Sequence, residues 1–200
     1  MTKVINISHL DQVVSIHAAC FPDSQSTKYG KRFLEGYYKG VCESENSVSF
    51  VSIMDDKVVG FVAGGVNKQA LSRQIVSSSK YIILLSFIEN ILKHPIITTK
   101  KYWSYARAYL LPNKNKTFYR DNTAVLDSIA LLSDYRGKGI AEELVAVFLE
   151  ALKHKGISAC RLGVESTNMP ARKFYEKMKF EQANEIGSIY IYYFDDLYRS

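Results

Sequence analysis

The sequence has no long apolar run. Its greasiest stretch, YIILLSFIENIL at 81–92, is interrupted by Ser86, Glu89 and Asn90. It is shorter than the roughly 20 apolar residues that cross a bilayer, so no membrane span is expected. The opening MTKVINISHLDQVV lacks the uninterrupted apolar core of a signal peptide. Cysteine is scarce. Cys20, Cys42 and Cys160 are an odd number without metal-ligand spacing, which argues against a metal site or a disulfide framework. They read as reduced thiols of a cytoplasmic protein. No histidine accompanies them in a nucleophile motif. Internal repeats and low-complexity stretches are also missing. Neither sign of charge dominates: 26 Lys and Arg against 20 Asp and Glu give a net charge of +6. That is too mild and too scattered for a nucleic-acid partner, but it suits a small polyanion.

What is present is a strand-rich domain with helices between the strands. Val4 to Ile7 reads as a strand. Residues 10–20 place Leu10, Val13, Val14 and His17 on one helical face, with His17 at its boundary. FPDSQSTKYG (21–30) is a polar loop, and KRFLEGYYKGVCE resumes as helix through Phe33, Tyr37 and Val41. SVSFVSIM and VVGFVAGGV, joined by DDK, form a hairpin. The apolar run from Val58 to Val62 suggests a strand covered on both faces. Residues 68–118 differ in character. One helical segment carries Tyr81, Leu84, Leu85, Ile88, Ile91 and Leu92, and a second carries Trp103, Ala106 and Leu110. They are expected to be a helical insertion within a single domain spanning 1–200. Its apolar face needs either the core or a second copy of the chain, so a homodimer is an expectation. Beyond it come a strand (TAVLDSIAL), a glycine turn with a long helix, a strand (SACRLGVE), a short helix (NMPARKFYEKM) and a closing hairpin.

The turn SDYRGKGIAEELV (133–145) alternates two cations, Arg136 and Lys138, with Gly137 and Gly139 at the very start of a helix. A helix start carries unpaired N–H groups and partial positive charge. Glycines there let backbone approach a ligand closely, and the cations add the same sign. The combination suits a phosphate or pyrophosphate. It is not a Walker loop, since the Gly-Lys-Ser/Thr ending is absent, and it lacks the third glycine of the dinucleotide fingerprint. A plain flexible joint is the bland alternative.

LDSIALLSDYRGKGIAEELV resembles the central motif of the GNAT superfamily of acetyl-CoA-dependent acyltransferases, Arg/Gln-x-x-Gly-x-Gly/Ala, through Arg136, Gly139 and Ala141. NMPARKFYEKMKF resembles the superfamily's second motif, with Lys179 where glycine usually precedes Phe180. The element order agrees outside 68–118. The resemblance implies a mixed α/β fold: a central, twisted, mostly antiparallel sheet of six to seven strands flanked by helices. It also implies acetyl-CoA as co-substrate. The pyrophosphate would lie on Arg136, Gly137, Lys138, Gly139, Ile140 and Ala141. The pantetheine would pair like an added strand with the backbone of Ile129, Ala130 and Leu131, and Asn168 would order the site.

Transfer from a thioester to an amine needs a base for the amine, donors for the oxyanion and an acid for the thiolate. The resemblance assigns the acid to Tyr175 and the oxyanion donor to the Ile129 N–H. Asp127 and Glu165 are the carboxylates placed to act as base, and alternation puts Asp127 on the side of Ile129 unless a bulge intervenes. The acceptor site is expected in the first two helices and their loop, with Phe21, Tyr29 and Phe33 contacting a small-molecule amine, an amino sugar or a nucleotide-linked amino sugar. A protein or peptide N-acetyltransferase and a non-catalytic acetyl-CoA-binding module are the other readings.

Overall fold

The computed structural model describes residues 1–93, 122–183 and 189–194. Seven strands make one sheet: β1 (Thr2–Val4), β2 (Ser47–Met54), β3 (Lys57–Val66), β4 (Thr123–Leu131), β5 (Ala159–Gly163), β6 (Glu181–Gln182) and β7 (Ile189–Tyr193). Their order is β1-β2-β3-β4-β5-β7-β6, and every pairing is antiparallel except β4 with β5. The mixed, mostly antiparallel sheet expected from the sequence is present. Its first strand ends earlier than expected. Asn6 accepts the Ser8 N–H and starts a 3-10 turn at Ile7–His9, which takes Ile7 out of the strand.

Helices cover both faces. On one lie α1 (Leu10–Cys20), α2 (Gln25–Lys28), α3 (Lys31–Glu43) and the start of α4 (Lys68–Lys93); on the other lie α5 (Ile140–His154) and α6 (Met169–Lys177). Val13, Val14, Leu34, Tyr38 and Val41 pack on Val51, Phe61, Ala63 and Ala130. Opposite them, Leu144, Phe148 and Leu152 of α5 pack on Val59, Val62, Leu126 and Leu131. β3 is buried from Val58 through Gly65, which explains why its sequence is apolar without alternation.

The start of α4 belongs to the core. Leu71 and Ile75 are buried with α1 and α3, and a Cβ on Gly40 would lie only 2.7 Å from the Ile75 Cα. Helices α3 and α4 therefore cross nearly backbone to backbone. Arg32 and Glu89 pair across the same two helices at 3.7 Å. Farther along α4, Tyr81, Leu84, Leu85 and Ile88 are 71%, 56%, 50% and 45% exposed. The expected second segment, with Trp103, Ala106 and Leu110, lies outside the described residues, as do the side chains of Ile91 and Leu92. Among the described residues no helix is long and apolar enough to cross a membrane.

Candidate functional site

Two strands part at the centre of the sheet. β4 and β5 are paired only at Thr123, Ala124 and Val125, opposite Ala159, Cys160 and Arg161. Beyond Val125, β4 continues along β3 alone. The register with β3 slips between Ala63 and Gly64, so Leu126 and Ser128 face consecutive β3 residues and Asp127 is the extra, bulged residue. The bulge overrides simple alternation: Leu126 and Ile129 both pack on the α5 face. Asp127 is exposed at the bulge. Asp127 stands two residues past Val125, the last β4 residue paired with β5, where the strands begin to part.

The strand's backbone sorts the expected pantetheine contacts. The Leu132 N–H donates to the Val59 carbonyl at 2.9 Å. With the pairing Ala130 to Phe61, this makes Ala130 a hydrogen-bonded position whose N–H and carbonyl face β3. Ile129 and Leu131 then direct theirs the other way, toward the split. The Leu131 carbonyl is already taken, by Arg136 Nε at 3.2 Å and the Cys20 thiol at 3.4 Å. Ile129 thus offers both of its backbone groups to the split and Leu131 its N–H, whereas Ala130 is committed to β3.

The glycine turn follows directly. Gly137 and Gly139 have φ of +73° and +80°, in the left-handed region. A Cβ on either would meet no protein atom within 4 Å, so what selects glycine is the dihedral rather than crowding. Gly139 is the N-cap of α5 and offers no side-chain cap, which leaves first-turn N–H groups around Ile140 and Ala141 for an anion. The buried Ile140 side chain anchors this turn. Two acids sit in the same turn, but both are engaged: Glu142 with Lys177 at 2.8 Å, and Glu143 accepting from Thr2. Lys138 sits 5.3 Å from the centre of the Tyr135 ring.

Tyr175 of α6 is buried among Phe174, Phe180 and Tyr190 on the α5 face. Burial, and secondarily the neighbouring Cys160, push its phenol up to about 12. It therefore stays protonated across the working range of an enzyme. Arg172 braces the helix: it donates to Tyr190 Oη at 2.9 Å, to the Ser166 carbonyl at 3.2 Å and to Gln182 Oε1 at 3.2 Å. Asn168 is the N-cap of α6, its Oδ1 accepting the Ala171 N–H at 3.2 Å. Glu165 is exposed beyond the end of β5, where its carbonyl accepts the Asn168 N–H. Lys179, where the motif usually has glycine, has φ of +64°. The turn keeps the conformation that a glycine would supply.

On the acceptor side, Tyr29 and Phe33 are 4% and 0% exposed and pack on each other at 4.8 Å. Phe21 is half-buried beside His17. His17, read from the sequence as a boundary residue, is buried. Its Nδ1 lies 2.7 Å from Tyr38 Oη and its Nε2 3.0 Å from Ser26 Oγ. Tyr38 is fully buried, and burial holds its phenol well above the usual range. Sequence spacing shows no sign of this chain, because its members come from α1, α2 and α3. Among the described residues no cluster of His, Cys, Asp and Glu could hold a metal.

Comparison with known proteins agrees with this geometry. A family model described as "Acetyltransferase (GNAT) family" matches residues 10–180. Mycothiol acetyltransferase of Corynebacterium aurimucosum is 39% identical over 57 residues, which are 28% of this chain and 19% of that protein. N-alpha-acetyltransferase 30 of Schizosaccharomyces pombe is 33% identical over 63 residues, 32% of this chain and 42% of that protein. The matches thus span less than half the length of these relatives. The crystal structure of the PaiA N-acetyltransferase from Thermoplasma acidophilum with coenzyme A superposes with a TM-score of 0.61 at 14% identity, covering 97% of this chain and 98% of that one. With the family model matching most of its length around the split strands and the glycine turn, the chain belongs to the GNAT acetyltransferase family.

Proposed function

We propose that this protein transfers the acetyl group of acetyl-CoA to a primary amine by direct attack in a ternary complex. The observation that carries the reading is the parting of β4 from β5 after Val125, immediately ahead of the left-handed glycine turn. Arg136, Lys138 and the N–H groups from Gly137 to Ala141 would hold the pyrophosphate. The carbonyl of Ile129 and the N–H of Leu131 would pair with the pantetheine. The thioester supplies an activated acyl group. Around it, the Ile129 N–H stabilises the developing oxyanion, and Tyr175 returns a proton to the departing sulfur. Asp127, exposed at the bulge, takes the first proton from the ammonium through water; Glu165 is the alternative carboxylate. Asn168 positions α6, and with it Tyr175, through its cap.

A covalent route has little support. Cys160 is fully buried in the α5-side core, and burial pushes its thiol well above the usual range, so it is a poor nucleophile. Intersecting double-reciprocal lines are expected, and parallel lines would point to an acetyl-enzyme.

For the acceptor, Tyr29 and Phe33 are buried and pack on each other, which weakens the case for a sugar stacked on them. The likeness to an N-alpha-acetyltransferase supports a peptide or protein amine instead. The likeness to mycothiol acetyltransferase supports the small-molecule reading. Thiol release from acetyl-CoA, followed over short peptides with free amino termini and over amino sugars, tests both. Turnover with peptides alone is the expected result. Acetyl-CoA binding with no turnover on any amine would favour a non-catalytic module.

A further inference from the structure

A groove between α5, the end of α6 and the end of β7 takes no part in the acetyl-transfer scheme. It runs along the second half of α5, from Ala146 to Lys153. At 1.5 Å per residue that is roughly 9–20 Å along the helix from Ile140 and the glycine turn. We infer that this groove binds a small aromatic acid, with its ring on Tyr192 and Phe194 and its acid group between Lys153 and Lys179. The inference does not rest on the acetyltransferase reading.

The floor is apolar and largely aromatic. Leu149 of α5, Met178 at the end of α6, Tyr192 of β7 and Phe194 just beyond it line the groove. Tyr192 and Phe194 share a face because side chains two apart on an extended chain do. Their rings meet edge-on with centres 5.1 Å apart, and Phe180 backs Tyr192 at 5.4 Å. Both are only half-buried, so ring surface stays open to a ligand. Such rings take another ring in offset or edge contact, and the Met178 thioether adds a polarisable wall. The groove holds about 330 Å³, at the small end of the range for small-molecule sites. Nine described residues line it, where a protein partner takes roughly 20–30 a side, so a small molecule is the occupant that fits.

The rim is basic. Lys153, Lys177 and Lys179 stand on it with one acid, Glu150. Glu150 is taken up by His154 Nε2 at 3.0 Å, and Lys177 is held by Glu142 at 2.8 Å. Lys153 and Lys179 have no ion-pair partner among the described residues. The last carbonyls of α6 are taken by the N–H groups of Met178, Lys179 and Phe180 at 2.9–3.0 Å, so this helix end presents ammonium groups rather than bare carbonyls. Lys179 keeps its place at a cost. The turn that ends α6 holds it at φ of +64°, which glycine adopts freely and a side chain does not. Strain of this kind persists where a side chain has a use. With no ion pair of its own, the Lys179 ammonium serves a ligand on the rim.

Naphthoate is the probe, titrated into the full chain with excess coenzyme A present so that the glycine turn does not compete for it. Methyl carbon–proton spectra report where it binds. Shifts are expected at Ala146, Leu149 and Met178 and not at Ile129 or Ile140. The double variant Lys153→Gln, Lys179→Gln should weaken binding at least fivefold, since each exposed ion pair contributes up to about that factor. Both lysines are exposed, so the variant should stay folded by thermal melt. On the wild type, the neutral analogue naphthalenemethanol should bind at least fivefold more weakly than naphthoate, and so should octanoate, an acid without a ring. No shift at the three methyls up to millimolar naphthoate would overturn the site. Equal affinity of the alcohol, or of the double variant for naphthoate, would remove the acid group from the account. Equal affinity of octanoate would remove the ring. Either result overturns the proposal.

Discussion

The turn from Arg136 to Ala141 and the hydrogen-bonded chain of Tyr38, His17 and Ser26 are built in opposite ways. The turn is exposed, made largely of backbone, and contained in six consecutive residues whose glycines hold φ of +73° and +80°. The chain is half-buried to fully buried, made of side chains, and assembled from three helices. A site made of backbone must declare itself in local composition, because only certain residues accept its dihedrals. A site made of buried side chains leaves no such trace, since His17 and Tyr38 occupy positions that any core residue at helical spacing would fill.

The largest expected effect breaks the buried side. Tyr175→Phe should lower kcat roughly a hundredfold, within the usual range for a general acid, with acetyl-CoA affinity almost unchanged. Because burial holds Tyr175 near 12, its titration should produce no alkaline fall in rate below about pH 11. Stopped-turnover rates against pH check both statements. Next comes the exposed side. Gly139→Val disfavours φ near +80°, so the free turn relaxes to another conformation and binding must restore the left-handed one, at roughly 1–2 kcal/mol for a side chain. Calorimetry should show acetyl-CoA binding weakened roughly fivefold to thirtyfold while circular dichroism stays native. A third effect concerns stability. His17 is held at about 4 when folded and titrates near 6.5 when unfolded, so between those values the unfolded chain binds the extra proton. Stability should therefore fall as pH drops from 6.5 toward 4, by at most about 1.4 kcal/mol per pH unit from this group. Melts of wild type and His17→Gln across that window should show the slope reduced in the variant. The smallest effect refines the turn after α6: Lys179→Gly relieves φ of +64° and should stabilise the protein by roughly 0.5–1 kcal/mol.

The legibility of the fold follows the same division. Hairpin β2–β3 is readable from its β-branched residues around a short polar turn, and α5 from Ile140, Leu144 and Phe148. β1 is misplaced in the sequence because the Asn6 cap, a three-residue event, outweighs the apolar pattern through Ile7. Tyr29 and Phe33 read as ligand contacts because an aromatic near an amphipathic helix looks alike whether it faces a ligand or other side chains; in the fold they are buried and pack on each other. Leu71 and Ile75 fall within the segment that reads as a helical insertion, and nothing local marks their crossing with Gly40. Alternation puts Asp127 on the side of Ile129 unless a bulge intervenes; the bulge is set by the β3 register, which one strand's sequence does not carry.

Acetyl-CoA is proposed to lie along the freed edge of β4 with its pyrophosphate on the glycine turn. Residue-resolved amide hydrogen exchange with and without acetyl-CoA checks this placement. Slowed exchange is expected at Ile129, Leu131 and the amides from Gly137 to Ala141, with little change at Ala130, whose N–H is already bonded to β3. Saturating acetyl-CoA with no protection at Ile129 and Leu131, or protection confined to Ala130, would contradict it.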